Sequence, residues 1–189
     1  MEITKGQLNL AGWFSILNAV ITIPVMMISL GLHDESGTDT KMIEMVLTII
    51  SLGFLIYILW TLRDLLNIRY RFYDVDTLIT ILIWGNGTLT ALSILSLWSP
   101  EWERAFGILS MITLIPFGIL AIAFAIRLLR LTDHLSNLLK PFCYIQIGSG
   151  VCYITIILLP LGIIVGVVAD VVLGIIFFKE AKRLTLSIE

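Results

Sequence analysis

From Phe142 to Phe178 the chain runs for 37 residues with a single charge, Asp170. As one straight helix this stretch would be about 55 Å long against a hydrocarbon core of about 30 Å, so it must fold back on itself. Pro160 and Gly162 stand at its centre, where they would break a helix into two spans, at about 142–159 and 161–178. Four more apolar stretches precede it, at about 8–32, 42–62, 78–98 and 105–126, each near the length of a spanning helix. The first holds no charge, is too long for a signal peptide's apolar core and is followed by no Ala-x-Ala site, so it reads as a retained helix. The expected fold is an all-α integral membrane protein, a single membrane domain over 1–189, with six transmembrane helices arranged as three hairpins.

Composition agrees, because 58% of residues are hydrophobic and 14% charged, where a soluble domain has about 45–50% and about 25%. Six spans leave no room in 189 residues for a soluble catalytic domain. A net charge of −2 argues against nucleic acid as a partner, since that binding needs clustered Lys and Arg; membrane lipids are the partner this composition asks for. The basic residues serve orientation instead. With both termini inside, Lys5, Arg63, Arg69, Arg71, Arg127, Arg130, Lys140, Lys179, Lys182 and Arg183 fall on the inner side. Only Lys41 and Arg104 fall outside, among Asp34, Glu35, Asp39, Glu44, Glu101 and Glu103. That asymmetry obeys the positive-inside rule and predicts cytoplasmic N- and C-termini. A single span after residue 142 would put Lys179, Lys182 and Arg183 outside and break the pattern. Trp98 and Trp102 flank the outer loop between the third and fourth spans, and Trp60, Tyr70 and Tyr73 an inner one, as interfacial aromatics do. The basic and aromatic run from Arg69 to Tyr73 reads as a membrane-anchored turn.

A polar or small group sits near the middle of the first helix of each hairpin, in Leu17-Asn18-Ala19, Gly85-Asn86-Gly87 and Gly148-Ser149-Gly150. Thr61-Leu62-Arg63-Asp64-Leu65-Leu66 and Ile126-Arg127-Leu128-Leu129-Arg130 end the second helices of the first two in similar text, and Pro24 and Pro160 recur in the first and third. The pattern reads as a weak internal threefold repeat. With the Gly-rich text Gly162-Ile163-Ile164-Val165-Gly166, this architecture resembles the HdeD-like acid-resistance membrane proteins. The resemblance implies a stress-linked protein of a prokaryotic cytoplasmic membrane, with no catalytic residues to carry over.

Asp170 is the most informative residue. A central membrane Asp costs about 2.5–3.5 kcal/mol on translocon scales, so something must compensate. Gly162, Gly166, Asp170 and Gly174 recur every four residues and share a ridge small enough for another helix to approach closely. Asn18, Asn86 and Ser149 are expected at similar depth; Ser15, Asn18 and Thr22 share one helix face, and Asn86, Thr90 and Ser93 another. These groups form either interhelical hydrogen bonds of about 0.6 kcal/mol each, a midplane site with Asp170 as proton or cation acceptor, or a contact with a partner or second copy in the membrane.

Other chemistry lacks its residues. His33 and His134 fall on opposite sides of the bilayer, which excludes bis-histidine haem, and Asp133 beside His134 is no catalytic pair because adjacent helical residues point about 100° apart. No span holds a retinal lysine, and no thiol-redox, metalloprotease, hydrolase or phosphate-loop motif occurs. Cys143 and Cys152, nine residues apart on one helix, cannot pair and read as packing residues. No enzyme activity, metal or cofactor is expected. Two functions follow: a noncatalytic accessory, assembly or stress-response subunit acting through helix packing, or a transporter or channel for a proton, cation or small solute using Asp170 and the midplane polar residues.

Overall fold

The apolar stretches of the sequence become helices because a bilayer satisfies no backbone N–H or C=O, and a helix satisfies nearly all of its own. The computed structural model describes residues 3–31, 38–98, 103–131, 137–155 and 157–186. His33, Asp34, Glu35, Glu101, Trp102, Asp133 and His134 lie outside the described residues. The helices are α1 Lys5–Gly31, α2 Thr38–Asp64, α3 Asp76–Trp98, α4 Glu103–Leu129, α5 Leu139–Ile154 and α6 Leu159–Leu186, and there is no strand among the described residues. A capping box opens α1: Thr4 Oγ1 accepts from the Gln7 N–H at 3.3 Å, and Gln7 Oε1 accepts from the Thr4 N–H at 2.9 Å. Five of these helices are long and apolar enough to cross a membrane, as an integral membrane protein requires.

The exception is α5. Its 16 residues span about 24 Å, short of a hydrocarbon core of about 30 Å. The expected break at Pro160 and Gly162 falls earlier, so the spans expected at 142–159 and 161–178 are helices at Leu139–Ile154 and Leu159–Leu186. Thr155 marks the end of α5, and its hydroxyl folds back to donate to the carbonyls of Val151 at 2.9 Å and Cys152 at 3.1 Å. Pro160 is the second residue of α6, where a missing N–H costs nothing. Gly162 already donates within the helix, to the Leu158 carbonyl at 2.8 Å.

Each helix packs on its neighbours in the sequence, and α6 closes on α1, giving one closed ring. Neighbours run antiparallel: Asn18 on α1 meets Ser51 on α2, while Ser15 on α1 meets Asp170 on α6. Phe14 stacks on Phe54 with ring centroids 4.6 Å apart, fixing α1 against α2. The most extensive contacts join α1 to α6 and α4 to α5. Small residues decide this. A Cβ on Gly174 would lie 3.0 Å from the Gly12 carbonyl oxygen, and one on Gly118 would lie 2.6 Å from that of Gly150. Backbones approach this closely only where both helices carry glycine.

The ring is filled at the end that carries the chain termini. Leu65, Leu66, Val75, Leu128, Leu139 and Ile176 are all buried there. A π-helical turn, Leu65–Arg69, ends α2, and Arg71 then takes a left-handed φ of 51° so that the Phe72 N–H closes on the Leu66 carbonyl at 3.0 Å. This turn aims Tyr70 inward, whereas Trp60 and Tyr73 remain exposed as interfacial aromatics should. Tyr70 donates its hydroxyl to Glu180 Oε2 at 2.9 Å. Burial, and then the bond to Glu180, push the Tyr70 phenol up to about 12. A phenol raised on folding contributes stability that is whole below its unfolded value of about 10 and is lost as pH rises through about 12. Alkaline unfolding in detergent should therefore be shallower for Tyr70→Phe than for wild type across that window. Equal slopes would remove Tyr70 from the account.

Candidate functional site

Above the packed end the ring does not fill. It encloses a cavity of about 540 Å³ to which all six helices contribute lining residues. Leu62, Phe124, Phe142 and Leu173 form its floor against the core. Met26, Leu89, Leu114 and Leu159 line it towards the other end, where it is not sealed. Most of the wall is apolar, and a small set of polar groups converges inside it, the usual composition of a small-molecule site.

Asp170, Asn18, Asn86 and Ser149 all line this cavity, although they come from four different helices. Asn18 Nδ2 donates to Asp170 Oδ2 at 2.8 Å, and Ser51 Oγ donates to Asn18 Oδ1 at 2.7 Å. The Ser51 hydroxyl thus fixes the orientation of the amide, leaving its NH2 to the carboxyl group. Ser15, fully buried, donates to the backbone carbonyl of Asp170 at 2.7 Å and holds α6 in register with α1. Asp170 Oδ1 has no hydrogen-bonding partner among the described residues, and no basic side chain among them pairs with the carboxyl group.

Asn86 and Ser149 reach the cavity by other means. Asn86 Nδ2 donates to the Leu82 carbonyl one turn back at 2.7 Å, and Ser149 Oγ donates to the Gly162 carbonyl of α6 at 3.2 Å. Neither hydrogen-bonds the Asp170 carboxyl group, whose partner among the described residues is Asn18. Gln146 and Tyr153, also on α5, complete the polar set, with the Tyr153 hydroxyl against Ser149. A narrower recess of about 190 Å³ branches between α1, α2 and α3, lined by Thr22, Thr48, Ser51, Asn86 and Thr90 among others.

The glycine ridge of α6 divides its work. A Cβ on Gly162 would meet Cys152 and Tyr153 of α5, and one on Gly166 would lie 3.2 Å from the Tyr153 hydroxyl. Gly174 instead packs on Gly12, Ser15 and Ile16 of α1. Every fourth residue of a helix drifts by about 40°, so the ridge turns by about 120° from Gly162 to Gly174. Asp170 falls between the two packed faces and points inward. Ser51, Gln146 and Tyr153 were not singled out from sequence, since one Ser, one Gln and one Tyr in apolar text carry no periodic signal.

Glu180 was also missed. It is fully buried at the packed end, bound to Tyr70, to Arg183 Nη1 at 2.8 Å and to Arg69 Nη1 at 3.6 Å. Nearby, Asn67 Nδ2 and Arg63 hold Asp76, and Arg127 Nη1 donates to the Asp74 carbonyl at 2.7 Å. Arg63, Arg69 and Arg127 therefore link neighbouring elements of the ring at this end. Cys143 and Cys152 are buried free thiols, and no group of three or more potential metal ligands occurs among the described residues. No protein family, curated protein or solved structure matches this chain.

Proposed function

We propose that this protein is a noncatalytic membrane carrier that takes a proton, a cation or a small solute into the middle of its helix ring, with Asp170 as the acceptor. One observation supports this above all: four polar residues widely separated in sequence, Asn18, Asn86, Ser149 and Asp170, line a single cavity. A carboxyl group held by one amide, with its second oxygen turned to open space, is suited to a cationic or proton-donating guest. A cavity closed at one end fits a carrier in one of its two states better than an open pore. The recurrence of Asn18, Asn86 and Ser149 around the ring is then the trace of a threefold repeat, and the packed, basic end faces the cytoplasm.

The alternative, an accessory or stress-response subunit of the HdeD-like kind acting through helix packing, drew on the small-residue ridge of α6. That ridge packs on α5 and α1 of the same chain.

The test is flux in liposomes that enclose a pH-sensitive dye, with an imposed gradient of protons or of an alkylammonium ion. Asp170→Asn keeps an acceptor for Asn18 but loses the charge. A lost charge-assisted contact of about 1.5–3 kcal/mol lowers flux by about tenfold or more, while the thermal unfolding of the variant stays near wild type. Equal flux in the two proteins would sink the proposal. A stoichiometric protein partner recovered in mild detergent, with no flux from the purified chain, would restore the accessory alternative.

A further inference from the structure

The wall of the ring is not of even height. Beyond the Gly118–Gly150 crossing α5 continues for four residues, whereas α4 continues for 15; at 1.5 Å per residue, α4 rises about 16 Å higher. Beyond the Gly12–Gly174 crossing α1 rises about 6 Å higher than α6 by the same measure. Among these four helices the rim is therefore lowest at the turn between α5 and α6. From Thr155 through the turn to Leu161 in the first turn of α6 the sequence carries one polar side chain, Thr155, whose hydroxyl is turned back on the Val151 and Cys152 carbonyls of α5. Ile157 is 90% exposed, Leu158 43% and Leu161 49%. A turn that is both short and apolar has its stable position within the hydrocarbon and not at the headgroups. Leu159, the first residue of α6 after this turn, also lines the cavity, so the rim and the site are continuous.

We infer that the cavity is loaded sideways from the lipid, over the α5–α6 turn, by a bilayer-dissolved amphiphile with an apolar body and an ammonium head that reaches Asp170. This rests on the proposal that the cavity is a ligand site and adds the class of ligand and its route. A hydrophilic ion has no reason to cross an apolar rim and an apolar wall. A purely apolar molecule has no use for the carboxyl group at mid-depth. Only a molecule with both parts matches the cavity along its whole depth, its body against Met26, Leu114 and Leu159 and its head at Asp170 and Asn18. The head could be carried by a membrane lipid or by a free lipophilic amine, since both present the same ammonium group.

Two measurements test the inference on the full chain in lipid nanodiscs. In the first, Ile157→Cys carries a nitroxide, with Cys143 and Cys152 replaced by alanine, and its collisions with oxygen and with a water-soluble nickel chelate are compared. Lys41→Cys serves as reference. Oxygen should dominate at 157 and nickel at 41. In the second, the thermal unfolding midpoint is followed with dodecylamine, methylamine, dodecanoic acid or lysophosphatidylethanolamine. Dodecylamine should raise the midpoint of wild type and bind Asp170→Asn about tenfold more weakly, while methylamine and dodecanoic acid leave it unchanged. Protection by the lysolipid as well assigns the guest to the lipids; protection by dodecylamine alone assigns it to free amines.

Nickel dominance at 157 would overturn the lateral route, even with flux that depends on Asp170. Equal protection by methylamine, or undiminished dodecylamine binding in Asp170→Asn, would overturn the class of ligand. Failure of the carrier proposal itself would be seen separately, as flux unaffected by Asp170→Asn.

Discussion

Glu180→Ala is expected to lower the stability of the folded chain by about 3 kcal/mol, the lower part of the range for breaking a buried ion pair. Glu180 has no exposed surface, and three groups converge on it: the Tyr70 hydroxyl at 2.9 Å, Arg183 at 2.8 Å and Arg69 at 3.6 Å. Removing the acid leaves the Tyr70 hydroxyl and the Arg69 guanidinium facing a packed apolar end with no acceptor. The two arginines keep some solvent, with side chains 26% and 47% exposed, so the upper part of the range does not apply. Glu180→Gln retains an acceptor for Tyr70 and should lose roughly half as much, since it forfeits charge but not the hydrogen bond. Thermal unfolding of both variants in the same detergent decides the matter. Melting of Glu180→Ala together with wild type would mean that the cluster holds nothing.

Gly118→Val should be comparably damaging, for a steric reason. The first added carbon would lie 2.6 Å from the Gly150 carbonyl oxygen and 2.8 Å from the Ile154 side chain. The oxygen belongs to a backbone and cannot turn away, so α4 and α5 must separate. Overpacking of this kind costs about 1–3 kcal/mol, to which the lost contacts along α5 add. Gly87→Ala is the control, since nothing lies within 4 Å of a Cβ there. Alanine at that helical site should stabilise by about 0.5–1 kcal/mol through lost chain entropy. The two substitutions must move the unfolding midpoint in opposite directions. A Gly118→Val chain as stable as wild type would refute the close crossing of α4 and α5.

Much of the architecture was legible because a bilayer imposes one rule on length and polarity. Helices near the expected positions follow from that rule alone. Thr155 shows where it stops: in apolar text a proline draws attention as a breaker, whereas a hydroxyl that folds back on two carbonyls looks like any other threonine. Glu180 shows a second limit. Beside Lys179, Lys182 and Arg183 it resembles a solvated helix end. Its spacing tells otherwise, because Leu173, Ile176, Phe177, Glu180 and Ala181 fall on one helical face, and all are buried. The depth of Asp170 and Asn18 was readable from span boundaries, but their contact was not. It depends on α6 docking against α1, and sequence distance gives no sign that helices 152 residues apart are neighbours.

That docking sets an order of assembly. Helices enter the bilayer as they are made, so α1 arrives with Ser15 and Asn18 on its inner face long before their acceptor exists. Until α6 follows, Asn18 has Ser51 on α2 for company and Ser15 has no Asp170 carbonyl to reach. The nascent protein is thus an open crescent of helices with a polar seam at one edge. Insertion of α6 closes the seam and forms the cavity in one event, so the polar cavity and the finished ring come into being together.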